Sequence, residues 1–578
     1  MWSLTKNEAV TFDDPDYGDL ALEGEYEVEG VKLKPVFQVI KDNVKPYTPE
    51  WAEEITTVPA ATTRRLAAEF VEAAQIGSTI DIDGFTFPYR PVNFFVQRGA
   101  INHTSGTYSM LAANIINGLV GAADGPGNSI CQTVGPMLEP NEDGVVHCQL
   151  KNTPRAEEYI PNEWTWPPDC LDMGQFYPHR HCTPQVAWRA IVDPEKYHLE
   201  YGPKVMMCQG GNPFFNNVAY DEIEGAFKKI PFVFSVAYSF DEVTQYCDML
   251  LPEHSSMERL GFDKLHKVTR ATDDFRRRVQ GFNCRQSVLE QPLYNTRDLQ
   301  DITMELINRL GLKEKAYKQI SGMLKMMGTG WELDPAEDYT WGDVFDRYLK
   351  AHHGEKDRKY FLEHGVCQDW YLLPLKETYG YYYFPDTKTR HPMYDNHLRS
   401  SGERVTKLCA EHECQVPGWD MDEWRKHFEP LPHWFITNDL KAPEEYDLFA
   451  VNWKTASRAF GTGGVDDNAL LRDMDPWDPE LNFMMLNSGT AEKKGLKDGD
   501  EVICESPDGS LGGVIKTTEL LHPDCVGFAA NFGHRAPFMT PFSRKGLNYN
   551  VLLTGADGCF DPVSGGVNAT PQVKLTKK

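Results

Sequence analysis

The sequence predicts an α/β protein in which a Rossmann-like parallel-sheet domain with insertions is followed by a small carboxy-terminal β-barrel. Two observations lead to this prediction. Between residues 204 and 236 a strand, a Gly-bearing loop, a helix and a second strand follow one another, which is the order of a βαβ unit. After Pro443, short strands are separated by turn signals such as Lys497-Asp-Gly499, as in small β-barrels.

The composition is that of a large folded protein. The chain has 578 residues, 41% of them hydrophobic and 25% charged, and about 100 to 200 residues per domain implies several domains. With 58 Lys and Arg against 85 Asp and Glu, the formal charge is −27, so no nucleic-acid partner is expected. No apolar stretch reaches the roughly 18 residues of a membrane span, and no secretory signal opens the sequence. As written, the chain is therefore expected to be cytoplasmic, without a membrane span.

Changes in composition and periodicity divide the chain into four predicted parts. These are a partial amino-terminal α/β region with a hairpin and a helical pair (1–80), an α/β cofactor domain (81–310) with an irregular insertion (131–200), a connecting region (311–435) and the barrel (436–578).

The elements follow from local signals taken in order. Period-two alternation predicts a hairpin over 26–37, and Thr48 before Pro49 predicts the capped start of a helix. Pro59 opens a second helix that runs to about Ala74. The later predictions are strands over 93–97, 205–208, 231–236, 248–252, 446–452, 500–505, 513–517 and 525–529, and helices through 113–119, over 220–229 and near 340–352.

The loop of the βαβ unit carries the sequence Gly210-Gly211-Asn212-Pro213. Glycines let backbone N–H groups approach an anion, Asn212 supplies both a donor and an acceptor, and Pro213 fixes the exit of the chain. These properties suit a phosphate or a nucleotide. A plain βα turn is the commoner interpretation of such a loop, and both interpretations stay open.

Acidic side chains follow the next predicted strand. Asp241 and Glu242 lie just beyond it, where a carboxylate could accept from a purine or a ribose. Helix capping and turn formation explain such acids equally well. His103 lies in a polar turn that could face a cleft, although a lone His more often caps or packs. The sequence lacks the fingerprints of NAD-binding, P-loop, α/β-hydrolase and zinc-protease sites.

Four motifs occur in a fixed order along the chain. They are YTPEWAEEITTVPA at 47–60, GGNP at 210–213, FDEVTQYCDMLLP at 240–252 and LKDGD at 496–500. In this order they resemble the motifs of the molybdopterin-dependent oxidoreductases of the dimethyl sulfoxide reductase family, and the opening hairpin is similar to that of the polysulfide and thiosulfate reductase and acetylene hydratase branch. The resemblance covers nearly the whole chain, with local departures at Asn128, Val243 and Cys247.

The resemblance implies a cofactor, bis-molybdopterin guanine dinucleotide with Mo or W, and a barrel of the double-psi type. It implies that one dinucleotide is bound by the 210–213 loop and the Asp241-Glu242 turn. His103 would approach the pterin or the substrate funnel. The candidate contacts of the barrel with the other dinucleotide are Thr455, Asn487, His534 and Asn550.

Family members begin with a Cys-rich segment that holds a [4Fe–4S] cluster, followed by a ligand of the metal, and neither lies within 1–578. The resemblance therefore implies that the chain corresponds to the carboxy-terminal two thirds of a catalytic subunit. If such an amino-terminal segment carried a twin-arginine signal, the protein would be periplasmic. No metal ligand and no catalytic residue is assigned within the chain.

Three hypotheses about function follow from the resemblance. The first is a fragment or subunit of an oxidoreductase that performs two-electron chemistry on a small-molecule substrate and exchanges electrons with an iron–sulfur subunit, to which a membrane-anchor subunit can be added. The second is a non-redox hydratase or lyase that uses the metal as a Lewis acid. The third is a cofactor-binding module without catalysis.

Overall fold

The computed structural model describes most of the chain. The residues outside the description are 12–13, 97–98, 123–125, 128–135, 138–148, 151–164, 172, 180–183, 266–278, 366–370, 373–392, 438–439, 455–482, 530–531 and 542. Within the described part, every helix is too short or too polar to cross a membrane.

Helices dominate the first three quarters of the described chain. They are α1 (Val36–Val44), α2 (Pro49–Thr56), α3 (Ala60–Ala73), α4 (Gly106–Val120), α5 (Pro184–Val192), α6 (Pro213–Asn216), α7 (Tyr220–Lys229), α8 (Glu242–Gln245), α9 (Leu299–Arg309), α10 (Lys313–Met323), α11 (Trp341–His353), α12 (Arg358–His364), α13 (Asn396–Glu411), α14 (Met421–Arg425) and α15 (Ser488–Lys493).

The strands are mostly short. They are β1 (Trp2–Ser3), β2 (Glu8–Ala9), β3 (Tyr26–Val28), β4 (Val31–Leu33), β5 (Thr79–Ile82), β6 (Phe85–Pro88), β7 (Pro136–Met137), β8 (Gln149–Leu150), β9 (Val205–Gln209), β10 (Phe232–Ala237), β11 (Met249–Pro252), β12 (Gly261–Leu265), β13 (Val279–Arg285), β14 (Tyr371–Leu372), β15 (Leu448–Trp453), β16 (Phe483–Asn487), β17 (Glu501–Glu505), β18 (Ser510–Thr518), β19 (Cys525–Ala529) and β20 (Gln572–Lys577).

The predicted βαβ unit is confirmed. Strands β9, β10 and β11 form a parallel sheet in the order β11-β10-β9, and α7 connects the first two. Helix α7 buries Ile223, Ala226 and Phe227, which lie on one face at helical spacing. Its first turn is acidic and its last turn is basic, as the helix dipole favours. All three strands end at one edge, where the loops after β9 and β10 lie side by side.

The predicted carboxy-terminal barrel is confirmed as a closed barrel of six strands, in the order β15-β19-β16-β18-β17-β20. The pairs β15–β19 and β16–β18 are parallel, and the other pairs are antiparallel. Alternate side chains such as Val502 and Cys504 in β17 are fully buried, because successive residues of a strand point to opposite faces. Strands β16 and β20 are additional to the four predicted strands.

The amino-terminal predictions hold with small shifts. The hairpin is β3 paired with β4, and the side chain of Thr48 caps α2 by accepting from Trp51 N at 3.2 Å.

Helix α11 begins after Thr340, which forms a capping box with Asp343. Helices α9 to α12 surround a hydrophobic cluster of their own that includes Phe345 and Phe361.

One predicted strand is wrong. Residues 93–96 belong to no strand of the described chain, and residue 97 lies outside the described part. Asn117 of α4 replaces the strand partner: its Oδ1 accepts from Phe94 N at 2.7 Å and its Nδ2 donates to Phe94 O at 3.0 Å. The apolar pattern predicts a buried strand, but a helix side chain satisfies this backbone instead.

The end of the chain returns to the α/β part through buried polar contacts. Asp561 is fully buried and accepts from Thr107 N at the start of α4, at 2.9 Å. Asp557 accepts from Tyr197 Oη at 2.6 Å and lies 3.0 Å from Arg189 Nη1 of α5. These contacts fix the segment between β19 and β20 of the barrel against helices that precede the parallel sheet.

Candidate functional site

The loop after β9 is open to a ligand. Gly210 and Gly211 are exposed, and a Cβ added at either would meet no other atom within 4 Å. Gly210 has φ of 64°, in the left-handed region that glycine adopts without strain. The backbone of this turn is therefore accessible at the carboxyl edge of the parallel sheet, which is where ligands bind in open α/β folds.

Behind this loop lies a buried polar cluster formed by Asn212, Glu242 and His534, which are 5%, 1% and 3% exposed. Asn212 Nδ2 donates to Glu242 Oε2 at 2.7 Å, and His534 Nδ1 lies 3.1 Å from the same oxygen. The three residues come from the loop after β9, the first residue of α8 and the segment after β19. The cluster therefore joins the sheet edge to the carboxy-terminal part.

Glu242 also receives backbone donors. Arg535 N donates to Oε1 at 2.6 Å, and Ala536 N donates to the same oxygen at 3.3 Å. Burial by itself would raise the pKa of Glu242, but His534, the Arg535 N–H and the Asn212 amide together lower it to about 2. Glu242 is thus an ionised carboxylate whose acceptor positions are occupied by the protein itself.

Asn212 retains one free acceptor. Its Oδ1 is buried and has no hydrogen-bond partner among the described residues. Buried polar atoms normally have a hydrogen-bond partner. A buried amide oxygen without one, next to an exposed glycine turn, therefore indicates a place for a ligand donor. A ligand donor such as the N–H of a purine or pterin fits this oxygen.

Asp241 caps α8. Its Oδ1 accepts from Thr244 N at 2.9 Å, and Thr244 Oγ1 accepts from Asp241 N at 2.9 Å. Burial raises the pKa of this carboxyl. Of the two interpretations that the sequence left open for this acid, the structure shows helix capping, and a ligand contact of Asp241 stays a prediction.

His534 and Asn550 both contact the last residues of α6 or the residue that follows it. The imidazole of His534 stacks on Phe215 with ring centroids 4.0 Å apart and planes at 10°. Asn550 Nδ2 donates to Phe215 O at 2.6 Å and to Asn217 O at 3.2 Å. Asn212 and Glu242, which were predicted to contact one dinucleotide, and His534 and Asn550, which were predicted to contact the other, therefore lie in one region.

Three of the predicted site residues lie elsewhere or outside the description. His103 lies before α4, where its Nε2 is 3.1 Å from Ser109 Oγ. Asn487 ends β16 and caps α15, accepting from Gly489 N at 3.0 Å and donating to Leu521 O at 3.1 Å. Thr455 falls outside the described residues. Cofactor roles for these residues remain predictions.

Exposed aromatic rings and an arginine border the cluster, and the sequence analysis did not identify them. Phe240 and Phe538 are 52% and 60% exposed, with ring centroids 5.8 Å apart. The Arg535 guanidinium lies 5.1 Å from the centre of the Tyr220 ring. Phe240 could have been found from its position just beyond a strand end, whereas Arg535 and Phe538 reach this edge only through tertiary folding.

The chemistry of this edge is that of binding. It presents open backbone, one free amide oxygen, flat rings and an arginine. In the described part of the chain, no three His, Cys, Asp or Glu side chains are grouped so that they could hold a metal ion. The residues fit a large flat heterocycle with a phosphate.

Comparison with protein families agrees with this description of the carboxy-terminal part. Residues 458–570 match the model described as "Molydopterin dinucleotide binding domain". The matched range contains strands β16 to β19 of the closed barrel as well as His534 and Asn550.

Curated relatives are similar over most of this chain. They include a sulfite dehydrogenase subunit from Allochromatium vinosum (25% identity, 88% of this chain, 57% of the relative) and the arsenate respiratory reductase molybdopterin-containing subunit of Shewanella sp. ANA-3 (24%, 85%, 56%). The thiosulfate reductase molybdopterin-containing subunit of Salmonella typhimurium is 23% identical over 94% of this chain and 63% of its own length. The chain thus spans somewhat more than half the length of these relatives.

A solved structure shares the fold. Acetylene hydratase from Pelobacter acetylenicus superposes with a TM-score of 0.59 at 15% identity, over 94% of this chain and 66% of that protein. At this identity the similarity concerns the fold alone.

Proposed function

We propose that this chain, whose homologues are molybdopterin-containing subunits of the dimethyl sulfoxide reductase family, binds molybdopterin guanine dinucleotide as part of a two-electron oxidoreductase. The observation that carries the proposal is the match of residues 458–570 to a dinucleotide-binding domain, in a chain that also places an open glycine turn at a sheet edge.

The residues of this chain would act by binding and orientation. The exposed Gly210-Gly211 backbone would face a phosphate or the edge of a heterocycle, and Asn212 Oδ1 would accept from a ring N–H. Glu242 would hold Asn212 in place through its 2.7 Å hydrogen bond, and His534 would hold Glu242. When bound, the cofactor supplies a Mo or W centre that exchanges an oxo group or an electron pair with a substrate.

The same proposal implies that this chain assembles with other protein subunits. The relatives from Allochromatium, Shewanella and Salmonella are named as subunits, which supports an assembly of several chains. We expect the substrate to be a small molecule and electrons to pass to or from an iron–sulfur subunit. The compartment depends on where that partner resides.

The experiment that tests cofactor binding measures the nucleotide directly. The chain is produced, alone and with any coding sequence directly upstream, in a host that synthesises the dinucleotide cofactor. Guanine nucleotide and oxidised pterin are released by acid and quantified, and Mo, W and Fe are measured by mass spectrometry. We expect stoichiometric guanine nucleotide and pterin in at least one preparation. Neither compound in either preparation would overturn the proposal.

Two glycine variants localise the binding. Gly211→Val adds a side chain to open space in the turn, so we expect the fold to persist and the bound guanine nucleotide to fall at least tenfold. Gly202→Val is the matched control, because Gly202 lies before the other end of β9 and its added Cβ also meets no atom within 4 Å. Equal nucleotide content in the two variants would show that the turn is not the binding site.

Net electron transfer and substrate turnover distinguish the redox enzyme, the hydratase and the binding module. A redox enzyme that holds the cofactor should be reduced by dithionite and reoxidised by a ferredoxin-like acceptor. A hydratase would bind the cofactor and turn over its substrate without net electron transfer. A binding module would hold the pterin but show neither activity.

A further inference from the structure

Helix α13 ends in a backbone motif that brings two cysteines together. Cys414 N donates to Cys409 O at 2.9 Å, and Glu413 between them has φ of 48°, in the left-handed region. At the end of a helix, a backbone hydrogen bond that spans six residues, with a left-handed residue just before the last of them, defines the Schellman motif. In such motifs the side chains at the two ends frequently pack against each other, and here both ends are cysteines.

The two thiols have different surroundings. Cys409 is 4% exposed and packs in a hydrophobic cluster with Val405, Val416 and Trp419, whereas Cys414 lies at the edge of the cluster and is partly exposed. Both cysteines pack in the same hydrophobic cluster, and the backbone hydrogen bond from Cys414 N to Cys409 O holds the two residues close to each other. Burial raises the pKa of Cys409 to about 12 and also raises the pKa of Cys414.

A metal ion is a poor explanation for this pair. Among the described residues no third ligand is grouped with the two thiols. His412, which lies between them in sequence, instead stacks on Trp166 with centroids 4.3 Å apart and planes at 11°. Two neighbouring thiols without a metal suit a bond between them, because the closing backbone bond keeps their Cα atoms close.

We propose that Cys409 and Cys414 are a redox modification site that a low-molecular-weight disulfide converts into an intramolecular disulfide. The thiolate of Cys414, the more exposed thiol, attacks one sulfur of the small disulfide, releases the first small thiol and forms a mixed disulfide. The thiolate of Cys409 then attacks Cys414 Sγ and releases the second small thiol. One small disulfide is reduced to two thiols, and the two protein thiols are oxidised and lose two protons.

The disulfide would restrain the end of a helix that packs against elements distant in sequence. Helix α13 packs through Leu398 and Val405 in the cluster that contains Phe560 and Val563, on either side of the buried Asp561. Oxidation would cross-link the last turn of α13 to the chain that leaves it. Its amide protons would then exchange more slowly, because opening of this turn would have to stretch a covalent ring.

The test uses one tryptic peptide. No Lys or Arg lies between the two cysteines, so residues 408–425 are released as one piece. The purified chain is incubated with increasing oxidised glutathione, alkylated with iodoacetamide and digested. We expect the peptide to lose both carbamidomethyl groups and two hydrogens as the oxidant increases, and hydrogen exchange in its first residues to slow at least threefold.

Two variants keep the result interpretable. Cys414→Ser should abolish the change, and Cys525→Ser is the matched control, since Cys525 is another partly exposed thiol whose pKa burial raises. A peptide that stays doubly alkylated, or that stops at a glutathione adduct on Cys414, would overturn the proposal. Neither outcome depends on bound cofactor, so it is distinct from failure of the proposed function.

Discussion

His534 and Glu242 meet inside the protein, with Nδ1 of the imidazole 3.1 Å from Oε2 of the carboxylate, although 292 residues separate them in the chain. Glu242 opens α8 beside the parallel sheet, and His534 follows the last strand of the matched barrel domain. Through this contact, the segment after β19 lies next to the loop that contains Gly210 and Gly211. The position of Asn212 in the candidate site therefore depends on Glu242, whose carboxylate is buried.

Replacing Glu242 with leucine should strongly destabilise the protein. Asn212 Nδ2 and the N–H of Ala536 would lose their acceptor while remaining buried, at a cost of about 3 to 5 kcal/mol. Urea denaturation followed by tryptophan fluorescence would measure the loss. The matched control is Glu224→Leu, which removes a carboxylate paired with Lys228 at the surface of α7 and should cost less than about 1 kcal/mol. Similar midpoints for the two variants would contradict the role assigned to Glu242.

The stability contributed by Glu242 should depend on pH. The pKa of this carboxyl is lowered from 4.5 to about 2 in the folded protein, so its contribution is complete above about pH 4.5 and is lost as the pH falls towards 2. The shift corresponds to about 3 kcal/mol at neutral pH. Urea midpoints of the wild-type protein and Glu242→Gln should differ at pH 7 and converge between pH 4.5 and pH 2.5. A constant difference over this range would rule out the lowered pKa.

Asp561 should be needed to hold the end of the chain against α4. It accepts from Thr107 N at 2.9 Å and from Val563 N at 2.8 Å, and it is fully buried. Asp561→Ala removes every one of these acceptors and should cost about 2 to 4 kcal/mol. Thr107→Val removes only the 3.2 Å hydroxyl bond to Asp561 and should cost about 1 kcal/mol. Thermal unfolding of both variants would show whether the costs differ in this order.

Asn117 should keep residues 93–96, which do not form the predicted strand, in place. Asn117→Leu removes both hydrogen bonds to Phe94, so amide exchange over 93–96 should accelerate at least tenfold, as measured by hydrogen exchange with mass spectrometry. Asn114→Leu is the control, because Asn114 is on the same helix and makes no hydrogen bond to the described residues 93–96. Unchanged exchange in Asn117→Leu would show that other contacts order the segment.

Local signals predicted most of the elements that surround the site. Thr48 caps α2, helix α7 has the predicted bounds and β19 covers the predicted residues. These signals work because caps, helix faces and turns depend on neighbours within a few residues. The missed strand β20 carries the alternation Val573 and Leu575, which the same rule would have found. The missed strand β16 carries two adjacent methionines and no alternation that marks a strand.

Sequence alone was less informative about which residues of the site are exposed. It treated Asp241 and Glu242 as one acidic turn, but the structure makes Asp241 a helix cap and buries Glu242 among four donors. Adjacent carboxylates look alike in sequence because burial depends on what packs over them. Here the covering segment begins at Gly533, which approaches Asn548 so closely that a Cβ would lie 2.5 Å from its backbone nitrogen.

By itself the sequence determined the α/β class, the barrel, the glycine-bearing loop after the first strand of the βαβ unit and the resemblance to molybdopterin-dependent oxidoreductases. It could do so because turn chemistry, strand alternation and motif order are properties of contiguous residues. Only the tertiary structure decided that His534 contacts Glu242 and that Asn117 replaces a strand partner. It also decided that Asp561 is buried against Thr107 at the start of α4. Each of these relations is a choice among hydrogen-bond or packing partners, and that choice depends on which groups the fold buries together.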